Sequence, residues 1–379
     1  MGKRKHRRNK SDDDDDSIPM SDGSRLNSTP KDPRLYFQKV NIFYGETGTG
    51  KTIVMLEAMK LLQNMIPLWF IICPTNNSNE TYTGRIPKCC IKTKVNIKFL
   101  QKLYKRQEQT MEIFRRVNRM ETLEKLFSRC ADDEIKYKLR KMNSDAKKLL
   151  RKIERSDEPL TVKNEQRKNI NKLHKEYTVA IYKAQINLHR KALRKRKGLS
   201  NDERLALKFL NLNPNVGLIF DDTGAEVEKY ASEEVVSKFF YQGRHDFLTS
   251  FFLYQDDKSI KPPLRRSPKT SIFTSSEAAL SFFDTKTNSV SKAKRKKAML
   301  AIDACFNSPY EGEKNNRKLV YQKENVNEPF TYIVANNYED EKFKLGCPAL
   351  WEFSDNLPVK SKREAEKNNT FVDQYLDSY

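Results

Sequence analysis

A chain of 379 residues with 37% hydrophobic and 32% charged residues has room for one large α/β domain or two modest ones. It is too polar to be one compact globule throughout. The net charge of +22 predicts attraction to polyanions, nucleic acid above all. The sequence has no run of about 20 apolar residues, and its start, MGKRKHRRNK, lacks an apolar signal segment; no membrane association is expected, and the protein is expected to be soluble and intracellular. Cys73, Cys89, Cys90, Cys130, Cys305 and Cys347 form no CxxC pair and have no histidine at ligand spacing, so reduced structural thiols are expected rather than a zinc site.

Residues 1–33 read as a disordered charged tail, because a basic stretch, an acidic run from Asp12 to Asp16 and Ser/Pro-rich sequence offer little to bury. Residues 34–96 read as the first part of an α/β core. The apolar run Val40–Tyr44 predicts a strand, Ile53–Leu62 has helical spacing, and Leu68–Cys73 predicts a second strand. That strand-helix-strand order is a βαβ unit, which implies a parallel sheet.

Residues 97–210 differ in kind. Glycine and proline nearly vanish, and apolar residues recur at three and four, predicting long helices broken near Ser156–Thr161. Between Gln101 and Ser200, 29 Lys/Arg stand against 13 Asp/Glu, so most of the net charge sits in this helical insertion. The cluster Arg190, Lys191, Arg194–Lys197 is its best candidate for contact with a DNA backbone; docking on a protein partner is the other reading. Residues 211–357 return to strand patterns, at Val216–Phe220, Leu248–Tyr254, Ser271–Thr274 and twice within Lys318–Val334. Residues 358–379 read as a polar tail.

The segment Gly45-Glu46-Thr47-Gly48-Thr49-Gly50-Lys51-Thr52 satisfies GxxxxGK[ST] between a predicted strand and a predicted helix. Glycines let backbone N–H groups turn inward around phosphate oxygens, and the helix start favours negative charge. Lys51 is expected to bridge the β- and γ-phosphates of ATP, and Thr52 to offer its hydroxyl to Mg2+. Leu218–Asp222 is an apolar strand ending in acids. Asp221 at its tip is expected to anchor the metal, and Asp222 to polarise the attacking water. Gln255 ends the next strand, where a polar side chain reaches the γ-phosphate or the water. Arg265 and Arg266 are candidates for stabilising charge on a neighbouring subunit's nucleotide.

With these motifs in order, GETGTGKT, LIFDD, GRHDFLTSFFLYQ and LRRSPKTSIFTSSEAA, the chain resembles the poxvirus-type DNA-packaging ATPases of nucleocytoplasmic large DNA viruses, within the FtsK/HerA superfamily. Gly243-Arg244-His245 before the strand ending in Gln255 is the most distinctive part. The resemblance covers roughly residues 35–95 and 212–340. It implies a RecA-like α/β fold, ATP hydrolysis with Mg2+, a homo-oligomeric ring, and translocation of double-stranded DNA into a capsid through a capsid or portal partner. It also implies a place in the viral factory of the host cytoplasm, the nucleus or the virion. The basic helical insertion matches nothing in that pattern. A nucleotide kinase, a replicative helicase and a nucleotide-gated virion scaffold are the competing readings.

Overall fold

The computed structural model describes residues 17–307 and 316–335. Contacts divide the described residues into two compact units, one drawn from 17–104 and 215–335 and the other Lys105–Pro214. The polar tail expected from residue 358 lies outside the described residues, as does Cys347.

The first unit is built on eight strands, β1 Val40–Tyr44, β2 Leu68–Ile72, β3 Ile91–Lys92, β4 Val216–Asp221, β5 Leu248–Tyr254, β6 Thr270–Phe273, β7 Arg317–Gln322 and β8 Phe330–Val334. They lie in the order β8-β7-β6-β1-β5-β4-β2-β3. The six from β6 to β3 are parallel, and β7 and β8 continue the sheet antiparallel. The α/β class with a mostly parallel central sheet is therefore present as expected. Every residue of β1, β2, β4 and β5 is buried, which is why these strands read as continuous apolar runs rather than alternating ones. Aromatic rings carry much of the packing. Phe252 stacks on Phe220 at 4.7 Å and on Phe240 at 4.3 Å between ring centres.

Helix α1, Lys51–Leu62, leaves β1 through the glycine-rich turn and buries Val54, Met55, Ala58, Met59 and Leu62. The sheet order has one consequence for chemistry. β5 lies between β1 and β4, so Gln255 emerges between the glycine-rich turn and the acids of Asp221–Asp222.

The expectation of a disordered tail through residue 33 fails for residues 17–33. Ile18 and Leu26 are buried, and Ile18–Pro19 pairs with Arg25–Leu26. Tyr332 then donates its N–H to the Asn27 carbonyl and accepts from Thr29, so this segment covers the outer edge of β8. Two buried side chains and an otherwise unpaired strand edge outweigh the polar composition. Residues 1–16 lie outside the described residues.

The second unit is helical. Its longer helices are the end of α2 (Ile97–Val117), α3 Met120–Ser128, α4 Asp133–Glu154, α5 Leu160–Leu188 and α6 Asn201–Phe209, with a short turn of helix at Arg190–Arg194. It has a core of its own, from Val117, Leu123, Leu126, Phe127, Ile186, Ala206, Phe209 and their neighbours. The α4–α5 break falls at 155–159, and the two helices fold back on each other through His174–Asn143 at 2.7 Å and Arg167–Glu154 at 2.8 Å. A capping box of Ser200 and Glu203 starts α6, and Arg129 pairs with Glu203 at 2.8 Å. Among the described residues no helix is long and apolar enough to cross a membrane.

Candidate nucleotide site

The strand β1 delivers Gly45 to the C-terminal edge of the sheet. A β-carbon at Gly45 would lie 1.9 Å from Thr274 Oγ1, so only glycine lets the turn pass the end of β6. Gly50 adopts φ 91° as it caps α1, a left-handed conformation that leaves the first N–H groups of the helix facing outward. Glu46, Thr47 and Gly48 are exposed at the tip of the turn. Thr49 is tied down, its hydroxyl donating to the Glu46 carbonyl at 2.8 Å and meeting Thr274 Oγ1 at 2.6 Å.

Lys51 is the first residue of α1 and is buried. Its Nζ donates to the carbonyls of Gly45 at 2.5 Å and Glu46 at 2.8 Å. Burial lowers its pKa, and the carboxylates of Asp222, Asp221 and Glu46 act against that shift. Thr52 follows on the helix, half-buried.

Asp221 ends β4 and is buried. Its carboxyl is pushed up to about 6, by burial first and also by the charge of Asp222; a hydrogen bond from Tyr82 and the charge of Lys51 act in the other direction. Tyr82 Oη donates to Asp221 Oδ2 at 2.8 Å. Tyr82 is itself wholly buried and fixed by its N–H donating to Asn76 Oδ1 at 3.1 Å. Asp222 sits at φ 53°, so the chain turns sharply after Asp221, and the second carboxylate is exposed. Gln255, also exposed, donates from Nε2 to Thr47 Oγ1 at 3.4 Å.

The two candidate arginines separate. Arg265 is buried and paired with Asp257 at 2.7 Å; that carboxylate also accepts from Ser281 at 2.8 Å and Asn288 at 2.9 Å. Arg265 also reaches the Thr287 hydroxyl at 3.2 Å. It clamps the loop after Gln255 inside its own unit, so the expectation that it acts on a neighbouring subunit does not hold. Arg266 is exposed. Gly243-Arg244-His245 forms a short turn before β5, at the opposite edge of the sheet from Lys51.

The basic cluster of the helical unit is partly structural. Arg190 and Arg194 donate to the Leu207 carbonyl at 2.7 and 3.2 Å, and Arg196 to the Arg129 carbonyl at 2.9 Å. Arg190 also donates to the Lys208 carbonyl at 2.6 Å, so two cations serve the C-terminal turn of α6. Lys191, Lys195 and Lys197 stand exposed beside them.

Sequence reasoning missed Tyr82, Thr274 and Lys318. Lys318, on β7, is buried beside Gly50: a β-carbon there would meet its Cε at 3.4 Å and Nζ at 3.7 Å. A lysine leading into the apolar run Leu319-Val320-Tyr321 was the only signal for it, and Tyr82 had none. Two buried lysines beside one helix N-terminus oppose the helix dipole, an arrangement that an anion relieves. A buried carboxyl whose pKa burial raises, beside an exposed one, is likewise suited to a divalent cation. The residues present therefore fit a nucleotide phosphate chain with its Mg2+.

No protein-family model matches the chain. Among solved structures it is similar to the genome packaging NTPase B204 from Sulfolobus turreted icosahedral virus 2 in complex with AMP. That similarity has 10% identity and a TM-score of 0.37, over 81% of this chain and 98% of that one. It is also similar to the pCW3 conjugation coupling protein TcpA with ATPγS, at 12% identity and a TM-score of 0.34, over 88% of this chain and 69% of that one. At such scores, functional meaning rests on the site's own geometry. A sequence relative is stronger: the uncharacterized protein B354L of African swine fever virus is 30% identical over 310 residues, covering 78% of this chain and 82% of that protein. The turn, the acids and the sheet that carries them thus stand in a chain that belongs to the family of the African swine fever virus protein B354L.

Proposed function

We propose that this protein is an ATP-hydrolysing motor that translocates double-stranded DNA into viral capsids. The observation that carries the reading is the convergence of Lys51, Asp221, Asp222 and Gln255 at one edge of the sheet, with β5 between the strands of the lysine and the acids. Lys51 exchanges its loop carbonyls for phosphate oxygens, and the helix start behind it holds the chain of phosphates in place. Thr52 and Asp221 would hold Mg2+, with Tyr82 fixing the orientation of the Asp221 carboxylate. When bound there, Mg2+ would supply positive charge against the phosphates. Asp222 orients the attacking water and takes up its proton, and Gln255 contacts the γ-phosphate or that water. Of the two arginines, Arg266 is the exposed one, and so the one available either to a neighbouring subunit in a homo-oligomeric ring or to the DNA. The charge of +22 and the match of motif order to packaging ATPases support DNA as the track and a capsid or portal protein as the partner. The viral factory, the nucleus or the virion is then the place of work.

The test is ATP hydrolysis by the full chain with and without linear duplex DNA, beside Lys51→Ala and Asp222→Asn. Strong stimulation by duplex, lost in both variants, is the expected result. Hydrolysis indifferent to DNA overturns the motor reading and favours a kinase or a nucleotide-gated scaffold; robust unwinding of forked DNA favours a helicase.

A further inference from the structure

At the edge of the sheet opposite the nucleotide site lies a surface cavity of 310 Å3 lined by Lys39, Arg244, Arg266, Lys269 and Lys323, with Tyr241 beside them. No carboxylate lines it. The topology assembles these cations from distant stretches of chain. Lys39 and Lys269 immediately precede β1 and β6, Arg244 lies in the turn before β5, and Lys323 follows the antiparallel β7. A second hollow of 200 Å3 shares Arg266 and Lys323 and adds Lys294, so the cations form a continuous track rather than one closed pocket.

Their charge is only partly compensated. Glu324 pairs with Lys269 and its charge also acts on Arg244 and Lys39, while Lys323 donates to the Arg266 carbonyl at 2.8 Å and Lys39 to the Leu35 carbonyl at 3.2 Å. Partial desolvation lowers the Lys323 pKa first, and repulsion from Lys269, Lys294 and Arg266 lowers it further. Cations gathered at this density raise the local concentration of anions, and guanidinium groups match phosphate geometry.

We propose that this track seats successive phosphates of a duplex DNA backbone. A free phosphate needs one pocket, whereas two hollows joined by shared cations suit a repeating anion. The proposal rests on the DNA-motor reading and adds to it the place of contact. The nucleotide and the DNA then occupy opposite ends of the same strands, separated by the five residues of β1, about 17 Å, and do not compete for one site.

The test uses the full chain and a labelled duplex of about 30 base pairs, with binding followed by anisotropy between about 50 and 200 mM salt. Arg244→Gln/Lys323→Gln is compared with Lys88→Gln/Lys94→Gln, which removes the same charge from exposed positions of the same unit. The track variant is expected to bind about tenfold more weakly at about 100 mM salt, with a log–log salt slope shallower by about 2. Its hydrolysis without DNA is expected to match the parent, which reports an intact fold. Equal binding by the two variants overturns the proposal while leaving the motor reading intact. Failure of the parent to bind duplex at all overturns both. Calorimetry with inorganic phosphate separates the remaining source: phosphate binding lost in the track variant while duplex affinity stays unchanged marks a free-anion site and also overturns the proposal.

Discussion

The two edges of the parallel sheet carry opposite kinds of charge chemistry. At the C-terminal edge, Lys51, Asp221 and Tyr82 are buried and each is held by a named partner within 2.8 Å. The backbone is bent there at Gly50 and Asp222. At the N-terminal edge, Arg244, Arg266 and Lys323 are exposed, and few acids answer them. A buried constellation selects one small ligand through fixed geometry, because each displaced group leaves an unpaired partner. An exposed cationic track recognises charge and spacing, and so tolerates any base sequence. The contrast is what the proposed motor requires, with one molecule as fuel and a polymer as track.

That contrast breaks most visibly at the two adjacent arginines. Arg265→Ala should destabilise the fold by about 3–5 kcal/mol, because it strands the buried Asp257 carboxylate, whereas Arg266→Ala should stay within about 0.5 kcal/mol. Chemical denaturation of both variants reads this directly, and equal losses would show that the ion pair is not what holds the Gln255 loop.

Asp221→Asn tests the cost of the buried acid. The folded-state pKa of Asp221 lies above the ordinary carboxylate value, at about 6, so the folded protein retains a proton that the unfolded chain has lost. The stability that this group contributes without metal is therefore full below about pH 4 and falls as pH rises toward 6, by at most about 3 kcal/mol. The amide keeps an acceptor for Tyr82 but carries no charge. In a chelating buffer at neutral pH the variant should melt several degrees higher than the parent and lose this pH slope; an unchanged or lower melting temperature refutes the desolvation argument.

Tyr82→Phe sharpens the picture further. It removes the hydroxyl that orients Asp221, and the Mg2+ concentration for half-maximal hydrolysis should rise about tenfold. A fall in kcat at saturating Mg2+ with no change in that concentration would assign Tyr82 a merely structural role. The smallest effect belongs to the other edge. Arg244→Gln should leave thermal stability within about 0.5 kcal/mol, because exposed cations there contribute little to packing. A larger loss would mean that the track is part of the core.

The glycine-rich turn, the apolar strands β1, β2, β4 and β5, and the helical character of the insertion were legible in the sequence. Each depends on residues a few positions apart: a turn needs its glycines in place, and a buried strand needs a continuous apolar run. Arg265 and Arg266 were not separable, because identical side chains one position apart differ only in what faces them. The ordering of residues 17–33 was hidden for a related reason, since the composition of a segment does not reveal the β8 edge that receives it.

By itself the sequence determined a glycine-rich turn between a strand and a helix, two acids at the tip of a second strand, and a large excess of positive charge. The tertiary structure alone decided that β5 lies between those strands, that Tyr82 reaches Asp221 across 139 positions of chain, that Lys318 stands beside Gly50, and that five cations meet at the far edge. The reason is physical. Local conformation follows from the steric and hydrogen-bonding preferences of neighbours in sequence, whereas burial, pKa and charge density are set by groups that meet only when the sheet assembles.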